Sequence, residues 1–340
     1  MSGKKLSGVM IGAGFFAGFH AQAWGRSRRA AIRAVADLDR ARAEAFARQW
    51  NIPRAYDSAE EMIADEGPEF VDIVTRPEAH LGLARLAVEC GAHVICQKPL
   101  APTWRECRQM VDLCKSHGVR LVVHENWRWQ PWYRQMKMLA DAGQVGRPFH
   151  YRFTMRSGDG RGEAPYPVQP YFRQMEKLLV YETAVHFLDT FRYLGGEIES
   201  LCCHIQRLNP AISGEDYAVI QARFAGGAGG VIDANRFNGP NPPSITMGEF
   251  LLEGGGGVIR LADDGSLWIT RQGEEEREHQ YDWPQNGYKG DSVFATQEHL
   301  AACLLSGDRS ESDGEDYLQT VAAVRACYKS AATGEAVQLP

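Results

Sequence analysis

The sequence predicts two α/β domains of different construction, and three observations carry that prediction. An apolar run, Val9-Met10-Ile11, opens into Gly12-Ala13-Gly14 and then Phe15-Phe16-Ala17, a G-x-G-x-x-A spacing at the junction of a strand and a helix. From there to His124, short apolar strands alternate with helices, the pattern of right-handed crossovers in a parallel sheet. Beyond Trp127 strands dominate, and runs such as Asp216 to Phe224 alternate with period two, as a half-exposed antiparallel sheet requires. A chain of 340 residues exceeds the roughly 250–300 that one core supports. The expected division is 1–127 and 128–340.

Taken in order, the first strand ends at the glycine turn and a helix covers 17–29. A second strand, Ile32–Ala36, ends in Asp37, followed by helices over 39–50 and 58–66. Phe70–Thr75 is a buried strand whose carboxyl end is the turn Thr75-Arg76-Pro77, with a helix over 78–91. His93–Cys96 is a strand ending in Gln97-Lys98-Pro99-Leu100. Helix 103–117 and strand 120–124 complete the alternation. An aromatic cluster, Trp127 to Tyr133, begins a helix reaching about 142. Strands are expected at 148–156, 199–207, 216–225, 229–236, 247–253, 257–261, 266–270 and 277–282, with closing helices at 291–305 and 314–332. The Gly/Pro-rich stretch 157–170 and the segment 238–244 read as surface loops.

The glycine spacing has a physical reading. Gly12 permits a sharp turn, Gly14 lets the backbone approach a pyrophosphate, and Ala17 lets the helix pack close to the sheet. The helix N-terminus then faces the phosphates. Asp37, 23 positions beyond Gly14, stands where an acid binds the adenosine ribose, which favours NAD over NADP. The competing reading makes Asp37 the N-cap of the following helix. Arg40 keeps NADP open. In a parallel sheet the ligand lies at the carboxyl ends of the strands, where Asp37, Thr75–Pro77, Lys98-Pro99 and Glu125-Asn126 gather.

Two further places hold candidate chemistry. Lys98, on the turn after a strand, can donate to a substrate hydroxyl, or it is a solvated surface lysine. Glu182, His186 and Asp189 share one face if their segment is helical. Imidazole is the side chain best matched to take a proton near neutral pH. The competing readings are a buried histidine satisfied by Asp189, and a metal site, which one histidine and two acids support poorly.

Composition excludes other classes. A net charge of −6 argues against a nucleic-acid or anionic-membrane surface. The eight cysteines are scattered, with no C-x-x-C, as expected for reduced thiols of a cytoplasmic protein. No apolar run is long enough to span a membrane. Lys4-Lys5, the apolar run and Ala21-Gln22-Ala23 imitate a signal peptide, but cleavage there would remove the first strand of an otherwise intact pattern.

Gly12-Ala13-Gly14, Asp37, Thr75-x-Pro77-x-x-His80, Lys98-Pro99, Asn126-x-Arg128 and Glu182-x-x-x-His186-x-x-Asp189 occur in the order found in the Gfo/Idh/MocA oxidoreductases. The chain resembles that family over most of its length, most closely over 8–131 and 178–195. The resemblance implies an N-terminal Rossmann domain with a parallel sheet and a C-terminal α/β domain with an open, mainly antiparallel sheet. Many members are dimers or tetramers joined through that second sheet, so the resemblance implies a homodimer or homotetramer. It implies oxidation of a sugar, inositol or related polyol with NAD or NADP; Asp37 makes NADP the less favoured cofactor, and the single histidine beside two acids leaves no metal expected.

Lys98, His186 and Glu182 take the catalytic positions. Cofactor contacts fall to Gly12, Gly14, Phe15, Phe16, Asp37, Thr75, Pro77, His80, Gln97, Lys98 and Asn126. Substrate contacts fall to Lys98, Trp127, Arg128, Tyr166, Tyr171, Glu182 and His186, with Trp129 as a further aromatic wall. Two departures bear on the substrate: Gln97 stands where the family's E-K-P has glutamate, and Glu182 where its D-x-x-x-H has aspartate. Within the family, Glu125-Asn126-Trp127-Arg128-Trp129 resembles the D-apiose dehydrogenases. The expected partner is a small carbohydrate. A non-catalytic NAD-binding regulator, an isomerase or glycosidase that retains its NAD, and a methyltransferase sharing the glycine turn remain as alternatives.

Overall fold

The alternation of apolar strands and helices builds the expected parallel sheet. A computed structural model describes residues 5–240 and 243–340. β1 (Leu6–Ile11) leads to α1 (Phe15–Arg26), β2 (Ala30–Ala36), α2 (Arg40–Trp50), β3 (Arg54–Tyr56) and α3 (Ala59–Glu66). β4 (Phe70–Ile73), α4 (Pro77–Glu89), β5 (His93–Gln97), α5 (Trp104–Ser116) and β6 (Leu121–His124) follow. The six strands run parallel in the order β3-β2-β1-β4-β5-β6. The order reverses at β1, which puts the switch point, and so the ligand crevice of such a sheet, beside the Gly12–Gly14 turn.

Local chemistry fixes these helices. Thr103 and Glu106 form a reciprocal capping box on α5, Ser58 caps α3, and α2 and α3 close on left-handed Asn51 and Gly67. Every residue of β4 is buried, including Asp72. Gly8 of β1 leaves the space that the Phe70 ring fills. α1 begins two residues before the expected 17, because Gly14 is already the N-cap, and ends at Arg26 where Ser27 turns extended.

The second half holds α6 (Pro131–Asp141), β7 (Pro148–Arg156), a π-helical turn at Leu179–Ala184, and α7 (Val185–Gly195). β8 (Ile198–Gln206), β9 (Tyr217–Phe224), β10 (Gly229–Asn235), β11 (Gly248–Gly254), β12 (Gly257–Leu261), β13 (Leu267–Arg271) and β14 (Arg277–His279) follow. α8 (Ser292–Ser306), α9 (Gly314–Thr333) and β15 (Val337–Gln338) end the chain. Nine strands lie in the order β14-β13-β12-β11-β7-β10-β9-β8-β15. Only the β7–β10 pair is parallel, so the sheet is mixed and mainly antiparallel. α7 is held against it by aromatic packing: Phe187 meets Phe153 at 4.4 Å, and Phe191 meets Phe250 at 5.5 Å. Burying each such ring contributes about 1.5–3 kcal/mol.

Two compact units emerge. One is the segment ending at Trp129 with Pro284–Leu318; the other is Gln130–Trp283 with Gln319–Pro340. The expected division into 1–127 and 128–340 did not include this return of the chain. Its cause is specific: Leu300 and Ala301 of α8 enter the core formed by Ala17, Ala21 and Trp24. Arg26 grips Asp291 through two hydrogen bonds of 2.7 and 2.5 Å, and Val123 N–H donates to Ser312 O at 2.8 Å.

The expected loop 157–170 is fastened rather than loose, with Gly160 N–H on Arg236 O at 2.8 Å and Arg161 Nε on Phe237 O at 2.6 Å. Asn241 and Pro242 of the expected 238–244 loop, and Lys4 of the lysine pair, lie outside the described residues. Among the described residues no helix is long and apolar enough to cross a membrane.

Candidate active site

The expected site residues fall on both units. In the first, β1 delivers the chain into Gly12, whose φ is +105° and whose N–H donates to Ala36 O at 2.8 Å. A Cβ at Gly12 would lie 2.3 Å from Val74 O, so only glycine fits. A Cβ at Gly14 would meet nothing within 4 Å, which leaves this backbone approachable. α1 starts there with neither a capping side chain nor an acid in its first turn. Its first N–H groups therefore suit an anionic ligand such as a pyrophosphate.

Asp37 follows β2 and braces this turn. Its Oδ2 accepts from Ala13 N–H at 2.9 Å, and its Oδ1 from Asp39 N–H at 3.0 Å and Arg42 Nε at 3.1 Å. The N-cap of α2 is Asp39, which accepts from Arg42 N–H, so the capping role considered for Asp37 belongs two residues later. Arg40, expected near the ribose, instead pairs with Glu44 at 2.9 Å; the guanidinium touching Asp37 is that of Arg42. An open glycine turn, free amides and a carboxylate at the end of β2 fit a dinucleotide.

Several residues expected to touch the cofactor serve the scaffold. His80 is fully buried, with Nδ1 3.0 Å from Leu100 O and Nε2 3.2 Å from Thr75 O. Burial lowers its pKa against the pull of those carbonyls. It clamps the Thr75–Pro77 turn to the Lys98-Pro99 turn, whose peptide bond is cis. Pro77 opens α4 at a position where a missing N–H costs nothing. Asn126 is buried and donates to Ser292 Oγ at 3.0 Å. Phe15 is exposed at the start of α1, while Phe16 packs edge-on against Tyr288 at 5.2 Å.

Gln97 is the end of a buried polar chain. Its Oε1 accepts Lys98 N–H at 3.1 Å, so its amide nitrogen faces His20 Nε2 at 2.7 Å and must donate. His20 Nε2 is then an acceptor and Nδ1 carries the proton, which goes to Asp72 Oδ2 at 2.8 Å beside the indole N–H of Trp24 at 2.7 Å. His124 Nδ1 lies 3.3 Å from the same amide nitrogen, its ring 4.0 Å from that of His20. Asp72, His20, Gln97 and His124 were invisible as a set in the sequence, where up to 77 positions separate bonded partners.

In the second unit, Glu182 lies in the π turn and His186 in the first turn of α7. The π turn departs from the uniform helix expected there; such turns recur at functional sites. Glu182 Oε2 accepts from Thr183 Oγ1 at 2.7 Å and lies 3.8 Å from Arg236 Nη1. Asp189 is fully buried and accepts from Thr320 Oγ1 at 3.1 Å. Thr320 in turn accepts from Arg192, which forks onto Glu197 at 2.9 and 2.8 Å.

The helix start is held by Glu215, a residue that carried no sequence signal. Its carboxylate accepts from Leu178 N–H at 3.2 Å, Val180 N–H at 3.0 Å and the Tyr328 hydroxyl at 2.6 Å. Burial and that carboxylate push the Tyr328 phenol pKa up.

The expected substrate residues divide. Trp127 is buried on the turn after β6, with the Lys289 ammonium 5.5 Å from its ring. Burial lowers the Lys289 pKa to about 8. Arg128 is buried and donates to Glu311 O at 2.8 Å. Trp129 packs against His299 with the rings tilted by 36° and their centroids 4.6 Å apart. Tyr166, with φ +60°, is buried with Phe172, Leu178 and Ile212, and Tyr171 packs on Phe172 at 4.8 Å. As described, Tyr166 is a packing residue rather than an exposed wall, because its ring lies under Arg236 at 4.7 Å.

Comparison with known proteins matches both halves. Residues 6–125 match an oxidoreductase family with an NAD-binding Rossmann fold, and residues 133–249 match the GFO/IDH/MocA C-terminal domain. A D-apiose dehydrogenase of Rhizobium rhizogenes is 33% identical over 100% of this chain and 99% of its own. One from Paraburkholderia graminis is 34% identical over 99% of this chain and 90% of its own. An Agrobacterium radiobacter oxidoreductase, solved with NAD+, L-tartaric acid and magnesium, superposes with a TM-score of 0.91 at 32% identity over 98% of both chains. Likeness of that order along whole chains settles the family: this protein belongs to the Gfo/Idh/MocA oxidoreductases and uses NAD as its cofactor.

Proposed function

We propose that the protein oxidises a hydroxyl of a small sugar, D-apiose first among the candidates, with NAD. The observation that carries this is end-to-end likeness to two D-apiose dehydrogenases at 33% and 34% identity. The Glu182–His186 turn and the braced Lys98-Pro99 turn supply the matching chemistry.

The Gly12–Gly14 turn and the amides opening α1 hold the pyrophosphate, Asp37 the ribose hydroxyls, and the Thr75–Pro77 and Gln97-Lys98 turns the far end of the dinucleotide. Bound NAD supplies the hydride acceptor. His186 takes the substrate's hydroxyl proton on a ring nitrogen. Lys98 donates a charge-assisted hydrogen bond to the same oxygen as it becomes an alkoxide and then a carbonyl. Glu182 accepts from a neighbouring substrate hydroxyl and fixes the sugar's orientation. Trp127 is as buried as Tyr166 and supports the turn after β6 rather than walling the sugar ring. His80, Asn126, Arg128, Tyr166 and Tyr171 act at one remove, by holding the turns and loops that carry these groups.

The test is NADH formation by the purified protein across D-apiose, common aldoses, inositols and sugar acids. D-apiose should give the highest kcat/KM. No NADH with any of them would refute the proposal. We place the protein in the cytoplasm as a homodimer or homotetramer joined through the exposed face of the nine-stranded sheet, which light scattering on the purified protein checks.

A further inference from the structure

Arg236 stands immediately after β10 and is buried, yet no motif announces it. Its guanidinium is shared among three elements. Nε donates to Asp159 Oδ1 at 3.2 Å and Nη2 to Asp159 Oδ2, on the loop after β7. Nη1 donates to Thr183 Oγ1 at 3.0 Å and lies 3.8 Å from Glu182 Oε2, in the π turn. The planar group also covers the rings of Tyr166 and Phe172 at 4.7 and 4.9 Å.

Thr183 has one hydroxyl proton. Because its oxygen accepts from Arg236, that proton goes to Glu182 Oε2 at 2.7 Å. The chain therefore has a direction, guanidinium to hydroxyl to carboxylate, and it ends on the residue expected to meet the sugar. Burial alone opposes a guanidinium charge; Asp159 and Glu182 outweigh it and raise the Arg236 pKa. Burying a charge of this kind costs free energy that only well-placed partners offset. Asp159 alone would neutralise it, so the second arm toward Thr183 and Glu182 calls for its own explanation.

We propose that Arg236 is a positioning residue for the reaction: directly and through Thr183 it holds Glu182 charged and in one orientation toward the substrate. This rests on the proposed role of Glu182 in reading a sugar hydroxyl. A carboxylate so held presents a fixed acceptor, whereas a free glutamate, one methylene longer than aspartate, would sample several rotamers. Arg236 thereby offsets the extra length of Glu182.

A double-mutant cycle tests it, with kcat and KM measured for the sugar that the panel identifies, at saturating NAD. The variants are Arg236→Met, Glu182→Gln and both together. Glu182→Gln should lower kcat/KM at least about tenfold, and Arg236→Met should do the same in the native background. In the Glu182→Gln background, Arg236→Met should cost less than about threefold, since the amide no longer needs the guanidinium. The KM for NAD should hold within about twofold throughout.

An equal loss in both backgrounds would overturn the proposal and leave Arg236 as packing alone, with Glu182 still in the site. An unchanged kcat/KM in Glu182→Gln would instead overturn the reading of Glu182 beneath it. If Arg236→Met does not fold, Arg236→Lys runs the same cycle, keeping the charge while losing the fork.

Discussion

Replacing Gln97 with glutamate tests the buried chain beneath Lys98. In the native arrangement the amide donates to His20 Nε2 at 2.7 Å and accepts from Lys98 N–H at 3.1 Å. A carboxylate keeps the second bond and turns the first into two acceptors facing each other. The folded variant must therefore hold one extra proton, either on the new carboxyl or on the imidazole between it and Asp72. In the unfolded variant the glutamate titrates near its ordinary value of about 4.3, so above about pH 5 it has lost its proton. The folded variant thus binds one more proton than the unfolded one, and its stability relative to wild type falls as pH rises, by about 1.4 kcal/mol per unit. While the cluster keeps its proton, the deficit at pH 8 should exceed that at pH 6 by about 3 kcal/mol. At about 2–4 °C per kcal/mol, the figure for a folding unit of roughly 150–250 residues, that is a relative shift in Tm of about 6–12 °C. Thermal melts of wild type and Gln97→Glu at the two pH values, at one ionic strength, measure it. A difference between the two proteins that does not change with pH would refute the assigned donor directions from Lys98 to Asp72.

Three other outcomes are expected. His186→Ala should lower turnover by about 10² or more with NAD affinity, read by thermal shift, unchanged. Asp37→Ala should weaken NAD binding and narrow its advantage over NADP, because a ribose acceptor and the brace on Ala13 N–H are lost together; titrations with both cofactors show it. Phe187→Ala, removing a ring packed at 4.4 Å on Phe153, should destabilise the protein by about 3–5 kcal/mol in chemical denaturation.

Where local pattern decides structure, the sequence was informative. The parallel sheet followed from strand–helix alternation, and the glycine turn from the G-x-G spacing, in which Gly12 takes a φ of +105° that favours glycine. β3 escaped notice because it has three residues at a sheet edge and no apolar run, and β15 because it has two. The π turn left no trace, since its wider winding does not alter which residues are apolar. The scaffold of the site was the least legible part. Arg236, Glu215, Tyr328 and the Asp72–His20 pair reach their partners across long sequence separations, and each looks in isolation like an ordinary charged or aromatic residue. His80 and Asn126 show the converse: they stand in motifs, yet the side-chain bonds described for them go to Leu100, Thr75 and Ser292.

The return of α8 onto α1 has a consequence for synthesis. Most of the dinucleotide unit emerges from the ribosome before Gln130–Trp283, but Leu300 and Ala301, which cover the Ala17–Ala21–Trp24 face, come only after that stretch has been made. Until then that face of α1 and the β6 backbone that Ser312 later meets stand open. A surface made before Gln130–Trp283 is thus finished only after that stretch, and a nascent chain stalled before residue 284 would present an apolar helix face and a bare strand edge to whatever attends it.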